Sequence, residues 1–148
     1  MRDANADDRC NALATGGSLT TFESGGNLYC VRTFTSDGTF QWKGANAQLV
    51  DFVLVGGGGG GNVGGGGSGG VIQAFLTIDP NTSWDVDVGQ GGLGHDKGHN
   101  GENSSVFGLV AGGGAGGGPE ISDGLNCPNN NSTAGATITL NIGCGGGG

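Results

Sequence analysis

Residues 49–79 read LVDFVLVGGGGGGNVGGGGSGGVIQAFLTID, and the reading of this stretch decides the fold. Apolar residues crowd both ends at strand spacing. Between them, Gly56–Gly70 holds twelve glycines in fifteen positions. Three physical objects have such a sequence: a phosphate cradle, a flexible linker, and a packed glycine lattice. A cradle needs its glycines to open a helix, as in G-x-x-x-x-G-K-[ST], and neither the helix nor the Lys follows here. A linker is the default for one isolated tract, because glycine chains behave as flexible coils. Here, however, the tracts recur, at Gly56–Gly70, Gly89–Gly94, Gly112–Gly118 and Gly145–Gly148, and they follow strand-like segments.

The lattice reading accounts for that placement. A glycine run in the polyproline II conformation has three residues per turn and rises about 3.1 Å per residue. Without side chains, neighbouring runs approach to backbone contact and exchange sideways hydrogen bonds. Ordering glycine is entropically costly, so one run would not hold alone. A bundle would, since each buried amide gains a partner. The expected lattice glycines are Gly56, Gly57, Gly58, Gly59, Gly60 and Gly61, then Gly64, Gly65, Gly66 and Gly67, then Gly112, Gly113, Gly114, Gly116, Gly117 and Gly118. On this reading a valine at Gly58 or Gly59 blocks the packing.

Outward from the tracts, the chain reads as seven or eight short strands. YCVRTFT and TFQWK flank Ser36–Gly38, where Asp-Gly suggests a hairpin turn with positive φ. Residues 47–55 are apolar on both alternations, which predicts a strand covered on both faces. Residues 70–79 and 84–89 supply further strands, as do NSSVFGLVAGG and TAGATITLNIG. No amphipathic helix of more than two turns is evident. The expectation is an all-β domain, a short-stranded antiparallel sandwich or jelly-roll-like fold with bundled polyglycine II tracts. Residues 1–17 read as a polar N-terminal arm suited to attachment, and 18–148 as the glycine-rich β domain.

Composition narrows the function. The chain has 148 residues, 38 of them glycine, and a formal net charge of -8. An acidic chain does not neutralise phosphates, so nucleic acid is a poor partner. No run approaches the roughly 20 apolar residues of a membrane span, and no membrane insertion is expected. The start, MRDANADDRC, lacks the apolar core of a secretion signal. Cys10, Cys30, Cys127 and Cys144 are candidate disulfide cysteines, with three pairings open, and buried free thiols are the competing reading. No C-x-x-C points to zinc.

Candidate sites are few. GHDKGHNGE places His95, Asp96, Lys97, His99 and Asn100 in a glycine-flanked loop, read as a partner-contact loop. Its His-x-x-x-His would face a metal only on a helix, which the glycines disfavour. Asp79, Asp85 and Asp87 read as a polar strand face before a calcium site. No catalytic constellation is legible, so the chain is expected not to be an enzyme and to carry no cofactor or metal. Asn81, Asn103, Asn130 and Asn131 head Asn-x-Ser/Thr triplets.

Four ordered elements resemble a known family. Thr33–Phe40 (TFTSDGTF), Leu49–Gly61, Val86–Gly92 (VDVGQGG) and the Asn100–Gly108 loop (NGENSSVFG) are similar in order to the glycine-rich domain of bacteriophage structural proteins. Such domains occur in tail fibres, minor tail proteins and tail-tip adhesins, and the likeness spans roughly residues 16–118. The resemblance implies a β-rich domain with bundled polyglycine helices on a particle surface, commonly trimeric, with loops at the lattice ends contacting host receptors. The expected function is therefore a non-enzymatic virion surface protein, either capsid decoration or head fibre, or a tail-fibre adhesin. Its expected partners are other capsid or tail proteins, a host-surface receptor, and copies of itself. The alternative is a secreted extracellular fibril- or matrix-forming module, N-glycosylated at its Asn-x-Ser/Thr sites.

Overall fold

The computed structural model describes residues 4–62, 64–94, 98–117 and 137–141. In order, the elements are α1 (Ala4–Leu13), β1 (Ala14–Thr15), β2 (Ser18–Ser24), β3 (Asn27–Thr33), β4 (Gly38–Trp42), β5 (Gln48–Val55), β6 (Val71–Ile78), β7 (Thr82–Val86), β8 (Ser104–Val106), β9 (Leu109–Ala111) and β10 (Thr137–Asn141). The protein is all-β apart from one short helix, and its strands form small antiparallel sheets. There are two compact units. One comprises the described chain up to Val50 with Thr77–Val86, and the other Asp51–Leu76 with the described chain from Asp87 onward.

In the first unit, the stretch read as a polar arm is helical from Ala4 to Leu13. Ala6 and Cys10, four residues apart, form its buried face. That two-residue signal is too thin to register as amphipathicity in the sequence. A disulfide from Cys10 to Cys30 in β3, with Cα atoms 5.6 Å apart, fixes the helix to the hairpin. Thr21 Oγ1 also donates to Asp7 Oδ1 at 2.9 Å. The Arg32 guanidinium donates to Asn11 Oδ1 at 2.7 Å and to the Ala14 carbonyl, and its burial lowers its pKa from the usual arginine value. β2 and β3 pair along their full length through Gly25 (φ 57) and Gly26 (φ 77), a two-residue turn with both φ values positive.

The hairpin expected at Ser36–Gly38 does not form. β3 is paired with β2, whereas β4 lies between β1 and β7 in a separate sheet. Neither Asp37 nor Gly38 adopts a positive φ. The Phe34 ring lies against the backbone of Gly17 and Gly38, and the chain changes sheet around it. Phe40 and Trp84 stack across β4 and β7 at 6.1 Å, and Trp42 Nε1 donates to the Asn46 carbonyl at 2.9 Å.

In the second unit, β6 lies between β5 and β10, with β10 antiparallel in the register Thr137↔Phe75 to Asn141↔Val71. The β8–β9 hairpin turns at Phe107 (φ 56) and Gly108 (φ 77). Leu54, Ile72 and Ala74 of the sheet pack with Leu109 and Ala111 of the hairpin, and Phe52 and Val106 join them, giving a small two-layer core. Phe107, in a backbone region bulky residues rarely occupy, meets the Phe52 ring edge-on at 5.2 Å. The other face of the strands is not covered as the sequence suggested. Val53 is 61% exposed, Val55 54% and Phe75 49%. The β8–β9 layer is only two short strands, and among the described residues no second layer packs on that side.

Candidate functional site

Five backbone runs leave the small core of the second unit side by side: run I (56–61), run II (64–70), run III (89–94), run IV (98–103) and run V (112–117). Their hydrogen bonds repeat every three residues. Gly56 and Gly59 donate to run II at the Gly70 and Gly67 carbonyls (2.9 and 2.8 Å). Gly57 and Gly60 donate to run IV at Glu102 and His99 (2.9 and 2.8 Å). Run I in turn accepts from Gly114 and Gly117 of run V and from Gly92 of run III. Run I is therefore central, with four neighbours. A three-residue repeat that turns successive N–H groups to different neighbours is polyproline II geometry, not a β ladder.

Chain direction follows from the same bonds. Run I pairs antiparallel with run II (Gly56 with Gly70, Gly59 with Gly67) and with run IV (Gly57 with Glu102, Gly60 with His99). It is parallel to run V (Gly57 with Gly114, Gly60 with Gly117). Runs II and V are joined by Gly67 to Ala115 and Gly70 to Gly112, both at 2.7 Å. Gly98 and Gly101 of run IV donate to Gly117 and Gly114 of run V.

Glycine is needed here for space. None of the described lattice glycines has a positive φ. A Cβ at Gly56 or Gly59 would strike the Gly112 or Ala115 carbonyl of run V, and one at Gly57 or Gly60 the Gln90 or Leu93 carbonyl of run III. Gly66, Gly114 and Gly117 are equally confined, by Gly59, Gly67 and Gly64, and Gly113 and Gly116 by Gly101 and Gly98. Gly61 would meet the Gly64 carbonyl at 3.3 Å. Gly58 departs from the expectation. It is exposed, and a Cβ there comes no closer than 3.8 Å to the Gly67 carbonyl, because the third row of run I faces outward. A Cβ at Gly65 likewise meets no described atom within 4 Å, and Gly118 lies outside the described residues.

The same period explains the residues that are not glycine. Gln90 and Leu93 of run III, His99 and Glu102 of run IV, and Ser68 of run II occupy outward rows and are exposed. Run IV, GHNGEN, contains only two glycines and is not legible as a glycine tract. Its glycines fall every third residue against run I, and its asparagines serve as acceptors. Asn100 Oδ1 takes the Gly116 N–H at 2.8 Å and Asn103 Oδ1 the Gly113 N–H at 2.9 Å. Ser104 Oγ takes the Gly89 N–H at 2.9 Å. Asn100, read as a partner-contact residue, thus has its amide oxygen committed to the lattice. Gly69, Gly89, Gly92, Gly94, Gly98 and Gly101 are further close-contact positions, and a spacing of three links Gly66 with Gly69, Gly89 with Gly92 and Gly98 with Gly101.

At the end of the lattice away from the core, run I turns into run II, with the Asn62 N–H donating to the Gly64 carbonyl at 2.9 Å. Runs III and IV meet there through a Gly94–Gly98 bridge, and run V arrives at Gly117, bonded to Gly60 and Gly98. This end is the candidate contact surface. Around it Asn62, His99 and Leu93 (66%) are exposed. His95, Asp96 and Lys97, the rest of the expected contact loop, lie outside the described residues, as do Cys127, Cys144, Asn130 and Asn131. Among the described residues no cluster of three or more His, Cys, Asp or Glu is placed to hold a metal. Asp87 Oδ2 instead accepts from Ser105 Oγ at 2.7 Å, and Asp79 offers its backbone carbonyl to Thr82 Oγ1 at 2.6 Å. No described helix is long and apolar enough to cross a membrane.

No curated protein and no solved structure matches the chain. Residues 35–148 match the sequence model of the glycine-rich domain, and with most of its length so matched the chain belongs to that family of glycine-rich domains.

Proposed function

We propose that this protein is a non-enzymatic structural component of a phage virion surface, a capsid decoration protein or head fibre, or a tail-fibre adhesin, that holds contact loops on a rigid glycine lattice. The observation that carries the reading is the cross-bonded set of five runs whose turns, at Asn62 and at Gly94–Gly98, gather at one end. A rod of backbone held by period-three hydrogen bonds resists bending, and side chains at its tip meet a partner with little ordering left to do. Structural neighbours on the particle, a host-surface receptor and copies of this chain are the partners that fit. The exposed apolar residues Val53, Val55 and Phe75 favour assembly, and the resemblance to phage structural domains makes a trimer the favoured form. The Cys10–Cys30 disulfide suits an oxidising exterior.

The test is electron microscopy of native particles labelled with an antibody to this chain. Label over the head supports decoration or head fibre, and label at the tail end supports an adhesin. Label confined to free fibres overturns the virion reading in favour of a secreted matrix module. In that case glycan mass at Asn81, Asn103 or Asn131 is the confirming measurement.

A further inference from the structure

Asn100–Gly101 is the one Asn-Gly pair in the chain. In that dipeptide a side-chain amide is readily lost, because glycine has no Cβ to hinder the approach of its backbone nitrogen to the asparagine Cγ. The lattice nevertheless requires both residues. A Cβ at Gly101 would strike the Gly57 carbonyl of run I. Asn100 supplies the Oδ1 that accepts the Gly116 N–H at 2.8 Å. A chemically fragile pair is thus built into run IV.

The folded lattice holds both reacting groups in other bonds. The Gly101 nitrogen donates its N–H to the Gly114 carbonyl at 2.8 Å, and the Asn100 amide oxygen is tied to Gly116. Both anchors belong to run V. Asn100 Cγ is free to swing onto the Gly101 nitrogen only when runs IV and V part locally. Asn100 is exposed, so water is at hand when they do.

We propose that Asn100–Gly101 is a self-modification site that lattice packing keeps closed, and that parting of run IV from run V converts it irreversibly. In the open chain the Gly101 nitrogen attacks Asn100 Cγ. The N–Cγ bond forms as the Cγ–Nδ2 bond breaks, and the Gly101 amide proton leaves with Nδ2 as ammonia. Water, the sole co-reactant, then opens the cyclic imide. Opening at Cγ restores the backbone with an aspartate, which keeps an oxygen acceptor for Gly116. Opening at the other carbonyl routes the main chain through Cβ and Cγ, giving isoaspartate. That product does not return to the lattice. It lengthens the main chain by one atom between Gly98 and Gly101, whose N–H groups bond Gly117 and Gly114. The same atom falls between His99 and Glu102, whose carbonyls accept from Gly60 and Gly57. Both three-residue spacings are lost together, and opening becomes one-way. The chemistry is independent of the virion assignment.

Two measurements on the full-length protein test it. In the first, the protein is incubated in mildly alkaline buffer, natively and in urea. Peptide mass mapping follows Asn100, and labelling by an isoaspartyl methyltransferase counts isoaspartate. With fast opening and closing, the native rate is the unfolded rate scaled by the open fraction. Two hydrogen bonds hold the pair, so conversion is expected to be at least about tenfold slower natively than in urea. Equal rates overturn the closed site, and an Asn100 that stays intact in urea overturns the chemistry. The second measurement is refolding by dilution after increasing times in urea, read by the melting transition. The wild-type chain is expected to lose its recoverable transition in step with isoaspartate at Asn100. Asn100→Gln, which cyclises only through a larger and slower-forming ring, is expected to keep it. Isoaspartate-bearing chains that refold to the parent Tm overturn one-way opening.

Discussion

The sharpest consequence of the lattice lies in two adjacent glycines that composition cannot distinguish. A methyl group at Gly59 would lie 2.5 Å from the Ala115 carbonyl carbon and closer still to its oxygen, about 0.9 Å short of the 3.4 Å at which ordinary contact begins. The obstacle is backbone, so relief requires runs I and V to part. Parting them strains the two bonds that join these runs, Gly114 N–H to the Gly57 carbonyl (2.8 Å) and Gly117 N–H to the Gly60 carbonyl (2.9 Å). Overpacking of this kind costs about 1–3 kcal/mol, and each lost hydrogen bond adds about 1 kcal/mol. Gly59→Ala is therefore expected to destabilise by about 3–5 kcal/mol, which for a chain of this size lowers Tm by roughly 6–20 °C. Gly58→Ala faces 3.8 Å of clearance and no positive φ. It should instead stabilise by about 0.4–1 kcal/mol, because alanine narrows the unfolded ensemble. Circular-dichroism melts of the two variants beside the parent protein measure the difference. Equal effects from the two substitutions, or a neutral Gly59→Ala, would refute the packed lattice and return the tract to a flexible linker.

Further outcomes follow from particular contacts. Asn103→Ala leaves the buried Gly113 N–H without its acceptor and should destabilise by about 1–3 kcal/mol; Asn103→Asp keeps an acceptor there and should lose less, as urea titration of both will show. Replacing Cys10 and Cys30 together with serine opens a crosslink of sequence separation 20 and should lower stability by about 3 kcal/mol, read from denaturant midpoints under non-reducing conditions. Val53→Lys or Phe75→Lys places charge on the uncovered apolar face, so an assembled protein should shift toward monomer by light scattering at unchanged secondary structure.

Much of this architecture is legible in the sequence. Apolar segments ending in glycine runs imply strands that feed a backbone lattice, because glycine repeated after several strands is consistent only with close approach. Period three, not glycine content, turned out to be the deciding variable. Gly58 and Gly65 stand in rich glycine runs yet face outward, whereas Gly98 and Gly101 stand in GHNGEN and are confined against run I. Which third of a run faces inward depends on how many neighbours surround it, and that is a property of the assembled lattice. The roles of Asn100, Asn103 and Ser104 were hidden for the same reason, since their acceptor oxygens matter only once runs III and V lie within reach.

The sequence by itself determined the all-β class and the glycine runs, because these rest on local backbone preferences written residue by residue. The tertiary structure alone decided which strands pair. It drew β3 to β2 instead of β4, and it selected Cys10–Cys30 from the open pairings by packing α1 on the hairpin. It also left Val53, Val55 and Phe75 exposed on one face of β5 and β6 and brought the run turns to a common end. Those outcomes turn on contacts between residues far apart in the chain, whose distances no local pattern encodes.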